Sequence, residues 1–212
     1  MAGEAPVRIT VTSPRGTQRV RSVSIDAREI RQTSVDALRI ASVRDGDELA
    51  ESEVTRLLDD AEPEAAMNRA LRLLGHRERS TAELSDRLSQ DGYPSPVVES
   101  VIAKLAGYGY VDDARFAEDY VRAKRASGWG RSRIARALSE RGVDPQIASP
   151  LLESQLPETL EIDRACEAIK TLDVSERKGF EKGLRRLVSR GYSYEVARAA
   201  LQQQKRDTRD QG

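Results

Sequence analysis

The chain has 212 residues with 35 basic and 35 acidic side chains, so its net charge is zero and selects neither a nucleic acid nor an acidic partner. Hydrophobic residues make up 38% and aromatic residues 4%, which excludes one deep core and suits several shallow ones. The single cysteine, Cys166, excludes an internal disulfide, and no apolar run approaches the roughly 20 residues that span a bilayer.

At the N-terminus, Met1 to Pro6 lacks the basic-then-apolar pattern of a secretory signal, so a cytoplasmic protein is expected. Residues 1–60 differ in texture from the rest. Val7, Ile9 and Val11 alternate with Arg8, Thr10 and Thr12, the period of a half-buried strand. Ser13-Pro14-Arg15-Gly16 is a turn signal, and Val20, Val23 and Ile25 suggest a second strand whose alternation slips once. A small β-hairpin follows from this. Residues 34 to 44 read ambiguously, Gly46 breaks the chain, and Ser52 to Leu58 reads as a short helix. So small a module holds little core alone and is expected to lean on its neighbour.

From Pro63 onward the pattern is helical and it repeats. Gly92, Gly142 and Gly191 stand 50 and 49 residues apart. Leu88, Leu138 and Leu187 precede them, and Tyr93, Val143 and Tyr192 follow. Further on come Val97, Ile147 and Val196, then Ile102, Leu152 and Leu201. Upstream, Ala66, Phe116 and Ala165 align, then Ala70, Tyr120 and Ile169, then Leu73, Ala123 and Leu172, steps that trace one helix face. Each glycine ends the second helix of its unit. Ser80 with Glu83 forms a capping box, and Ser95-Pro96 and Asp144-Pro145 read as N-cap followed by proline. The expected fold is mainly α: three tandem three-helix repeats, 61–111, 112–156 and 157–204, in an elongated curved array. A β-hairpin-containing module, 1–60, precedes them and a flexible tail, 205–212, follows.

Candidate chemistry is sparse. The one histidine, His76, reads as a solvated residue of the polar loop Gly75-His76-Arg77-Glu78, and with one cysteine no metal-ligand spacing exists. Cys166 reads as a small core residue. Gly107-Tyr108-Gly109 and Gly128-Trp129-Gly130 lack the lysine and hydroxyl residue of a phosphate loop. Asp112-Asp113 precedes a helical run, where aspartates cap the positive end. No enzyme activity, cofactor or metal is expected.

Charge is unevenly distributed. Between Arg122 and Arg141, seven bases (Arg122, Lys124, Arg125, Arg131, Arg133, Arg136, Arg141) face one acid, Glu140. Between Arg177 and Arg190, six bases (Arg177, Lys178, Lys182, Arg185, Arg186, Arg190) face Glu181. Both windows cover the second helix of a repeat, and the first repeat has none. Windows at equivalent positions suit one positive stripe for a polyanion or acidic partner. Trp129, the only tryptophan, lies inside the first window and reads either as a local core residue or as an anchor at a binding surface.

The segment Gly109 to Val143, GYVDDARFAEDYVRAKRASGWGRSRIARALSERGV, resembles the signature of the RecX family, bacterial regulators of the RecA recombinase. Ala70 to Leu88, ALRLLGHRERSTAELSDRL, resembles the family's first repeat, and the resemblance covers about residues 63 to 201. The N-terminal segment resembles more loosely an extension carried by some members. The resemblance implies a non-enzymatic, monomeric regulator that lodges in the groove of the RecA filament on single-stranded DNA. There it modulates, mostly downward, RecA's ATPase, strand exchange and the recombination and SOS activities. Carried onto this chain, the expected contact residues are Arg122, Lys124, Arg125, Trp129, Arg131, Arg133, Arg136, Lys182, Arg185, Arg186 and Arg190. Direct contact with single- or double-stranded DNA stays open, and a stand-alone helical DNA-binding protein is the rival reading.

Overall fold

The computed structural model describes residues 5–174 and 176–210. The chain forms two compact units, Met1–Asp112 and Asp113–Gly212.

The first unit opens with the expected hairpin. Strand β1 (Val7–Thr12) pairs antiparallel with β2 (Val20–Ile25), Ile9 opposite Ile25. Two further strands enlarge it to a four-stranded sheet in the order β3-β2-β1-β4, where β3 is Arg28–Ser34 and β4 is Glu48–Leu49. The turn between β2 and β3 places Asp26 and Ala27 both at positive φ, 49° and 62°, matching the twist of the strands. A register shift opposite Val23 and Ser24 leaves Ile30 as the extra residue of β3, and the alternation of β2 slips because Val20 and Ser22 are buried as well as Val23 and Ile25.

The ambiguous stretch 34–44 resolves into β3's last residue and helix α1 (Val35–Ala41). The Ser34 hydroxyl caps α1 by accepting from the Ala37 N–H at 3.0 Å. The short helix expected over Ser52 to Leu58 and the helical pattern from Pro63 are one element, α2 (Glu51–His76). Pro63 removes one helical hydrogen bond without ending the helix. One buried stripe continues on both sides of it: Val54, Leu58 and Ala61 before, Ala65, Ala66, Ala70 and Leu73 after. Val54 and Leu58 close the sheet's core with Ile9, Val23, Ile25 and Leu38. The second half of α2 packs with α3 (Thr81–Gln90) and α4 (Ser95–Gly107) as the first three-helix repeat. The N-terminal module therefore leans on its neighbour through a shared helix. Their junction is sealed by the fully buried Glu62, which accepts from the Arg31 guanidinium at 2.5 Å and from the Thr33 hydroxyl at 2.7 Å.

In the second unit, α5 (Asp113–Ala126), α6 (Arg131–Ser139) and α7 (Pro145–Gln155) enclose one core, and α8 (Glu158–Ile169), α9 (Arg177–Ser189) and α10 (Tyr194–Asp210) enclose another. Leu88, Leu138 and Leu187 are each fully buried, as are Tyr93, Val143 and Tyr192 nearly so. Gly92, Gly142 and Gly191 all take the positive φ that ends a helix, at 92°, 69° and 89°.

One alignment shifts. Ala123 is exposed, and the deeply buried counterparts of Ala66 and Ala70 in the second repeat are Ala117 and Val121 rather than Phe116 and Tyr120. Val121 stands one residue nearer to Gly142 than Ala70 does to Gly92, so the upstream columns slip by one. Ser80 and Asp144 cap as expected, through the N–H groups of Glu83 and Gln146. Ser95 does not: α4 starts at Ser95 itself, with Pro94 at the cap position. Residues 205–210, set apart as a tail, continue α10 to Asp210; residues 211 and 212 lie outside the described residues.

Candidate binding face on the second and third repeats

Helix α5 ends in a tight turn. The N–H of Gly128 donates to the Arg125 carbonyl at 3.0 Å, and that of Trp129 to the Lys124 carbonyl at 3.1 Å. Gly128 supplies the positive φ, 76°. The turn folds Trp129 back over the end of α5, where its half-buried ring packs on the second repeat's core. The Lys124 ammonium lies 4.9 Å from the ring centroid, and the Arg133 guanidinium, on the first turn of α6, lies 3.8 Å from it. Tyr120, one turn earlier and stacked on Phe116, meets Lys124 at 5.2 Å and Arg141 at 4.7 Å. Each such pair contributes about 0.5–1 kcal/mol when exposed and more when desolvated. Trp129 thus touches the core while holding two cations over its ring.

These side chains wall a cleft of about 490 Å³. Tyr120, Trp129, Arg133, Arg136 and Arg141 line one side, and Val188, Ser189 and Gly191 from the end of α9 line the other. Arg133 spans it, donating to the Ser189 carbonyl at 3.3 Å. Arg136 pairs with Glu140 at 2.8 Å, an exposed contact of small worth. On the other side of the Trp129 turn, Arg125, Arg164 and Arg190 share a second cleft of about 300 Å³ with Glu167 and Tyr192.

The expected contact residues divide accordingly. Lys124, Trp129, Arg133 and Arg136 come together about the first cleft; Arg125 and Arg190 border the second. Arg131 faces Glu153 at 3.9 Å, and Arg122 pairs with Asp119. Lys182 and Arg185 stand exposed on α9 and Arg186 half-buried there, and none of the three lines either cleft. Charge counting omitted Tyr120 from the site, because its spacing reads as core. It also omitted Arg164, because its neighbourhood on α8 is of mixed sign.

Among the described residues of this unit the buried acid is Glu161, 3% exposed. Its carboxylate accepts from the Arg131 backbone N–H at 3.2 Å and from the Arg164 guanidinium at 2.8 Å. Burial pushes its carboxyl above the ordinary glutamate value, opposed by the hydrogen bond from Arg131 and the charge of Arg164. In the first unit, too, bases pair with buried or half-buried acids. Asp91 holds Arg69 at 2.6 Å, and Asp36 holds Arg19 at 2.5 Å and Arg72 at 2.7 Å. Among the described residues no helix is long and apolar enough to cross a membrane.

Comparison with known proteins gives matches along most of the chain. Residues 66–105 match the model of the first three-helix domain of RecX, and residues 112–150 that of the second. The regulatory protein RecX of Chromohalobacter salexigens is 37% identical over 135 residues, 62% of this chain and 88% of that one. That of Bacillus velezensis is 28% identical over 207 residues, 94% of this chain and 78% of that one. A crystal structure of regulatory protein RecX superposes with a TM-score of 0.60 at 20% identity, covering 92% of this chain and 98% of that one, which speaks to the fold alone.

Proposed function

The chain belongs to the RecX family of regulatory proteins, and on that premise we propose that it binds RecA filaments on single-stranded DNA. Bound there, as a monomer in the cytoplasm, it lowers RecA's ATPase and strand exchange and with them recombination and the SOS response. The observation that carries this reading is the cleft walled by Tyr120, Trp129, Arg133, Arg136 and Arg141. Tryptophan and arginine at a half-buried, concave position are the residues on which binding energy concentrates. The mode is occupation of a surface, which needs shape and charge rather than an active site.

The test is RecA's ATP hydrolysis on single-stranded DNA with substoichiometric amounts of this protein. Hydrolysis is expected to fall, and unchanged hydrolysis and filament assembly overturn the proposal. The double change Arg133→Glu, Arg136→Glu is expected to weaken filament binding by about 2 kcal/mol or more with helicity intact. If the arginines touch DNA phosphates, affinity also falls steeply with added salt. Tight, sequence-selective DNA binding without RecA favours instead a stand-alone DNA-binding protein.

A further inference from the structure

Helix α6, which carries Arg133 and Arg136, has no N-cap of its own. Its cap position is Gly130, which has no side chain to offer the first N–H groups. The third repeat satisfies them instead. The Glu161 carboxylate accepts from the Arg131 N–H at 3.2 Å, and the Gly191 carbonyl accepts from the Ser132 N–H at 3.1 Å. The Gly130 N–H itself donates to the Arg190 carbonyl at 2.8 Å. A carboxylate at this end also meets the positive pole of the helix dipole.

The other end of the turn is held from the same side. Arg164 donates from one Nη to Glu161 at 2.8 Å. Its other Nη donates to the carbonyls of Arg125 at 3.1 Å and Trp129 at 2.9 Å. The fork therefore ties the last turn of α5, the Trp129 backbone and the start of α6 to one buried carboxylate. A planar guanidinium suits this arrangement because its rigid fork carries donors on separate nitrogens.

We propose that Glu161 and Arg164 are positioning residues: the third repeat caps α6 from outside and sets the Trp129 turn that the second repeat presents to its partner. Neither side chain needs to touch the partner. The inference rests on the reading that the cleft beside Trp129 binds the RecA filament, and it names what holds that cleft in shape.

Because Trp129 is the only tryptophan, its fluorescence reports the turn directly and without RecA. Arg164→Ala and Glu161→Gln are expected to shift Trp129 emission to the red and raise its quenching by acrylamide, with far-UV circular dichroism little changed. Filament affinity is expected to fall about tenfold, the weight of one lost charge-assisted hydrogen bond. Arg164→Lys, which keeps the charge but not the fork, is expected to fall between wild type and Arg164→Ala in both readouts. Should Arg164→Ala lose its helicity, Glu161→Gln carries the same comparison. Unchanged emission and quenching overturn the proposal. Altered emission with full filament affinity, while Arg133→Glu abolishes binding, overturns the positioning role but keeps the proposed function. If the wild-type protein fails to bind the filament, the proposed function falls and the positioning role with it.

Discussion

At Gly130 two backbones meet. A Cβ there would lie 2.5 Å from the Tyr192 nitrogen and closer still to the Gly191 carbonyl, and backbone atoms have nowhere to go. Gly130→Ala is therefore expected to destabilise the second unit by about 1–3 kcal/mol through overpacking. Gly16→Ala meets nothing within 4 Å and is expected to cost only the strain of its positive φ, about 1 kcal/mol. Urea unfolding of the two variants separates the effects. Glu62 makes the opposite case, a residue whose worth lies in its partners. Removing it by Glu62→Ala leaves the buried Thr33 hydroxyl without that acceptor and the half-buried Arg31 guanidinium with Asp59 alone. A loss of about 1–3 kcal/mol, the cost of an unsatisfied buried polar group, is expected in the same experiment.

Among the elements, α2 is the one whose sequence misleads. Pro63 is exposed in mid-helix and contributes nothing visible to the core. Pro63→Ala restores a backbone hydrogen bond and is expected to raise stability by up to about 3 kcal/mol, read as a higher thermal midpoint. The repeat helices were legible because glycine, leucine and aromatic columns recur at nearly constant spacing, and local capping chemistry agrees with them. Strand β3 was not, because REIRQTS has one apolar residue and its turn is Asp26-Ala27 rather than a glycine pair. The separation of the short helix over Ser52 to Leu58 from the helical pattern beginning at Pro63 failed for a related reason: propensity is a local quantity, while the buried stripe running past Pro63 is a tertiary one. Likewise, charge alone did not separate Arg133, stacked on Trp129, from Lys182 and Arg185, exposed on a different helix. Nor did it reveal that α6 is capped by Glu161, some thirty residues away in sequence.

For the molecule as a whole, the division at Asp112 places the proposed binding face entirely in one unit. The fragment 113–212 contains both of its three-helix cores and every hydrogen bond that holds the Trp129 turn. It is expected to unfold cooperatively as a helical domain and to compete with the full chain for RecA filaments. A fragment that is unfolded by circular dichroism, or folded but unable to compete, would refute this.

The recurring glycine turn does more than end its helix. In the first unit the Gly92 turn receives the backbone of Thr33, and in the second the Gly191 turn receives the start of α6. A site kept free of a Cβ by its own φ is also a site that a second backbone can approach closely. At Gly92 and at Gly191 the helix stop therefore doubles as a socket for a second backbone.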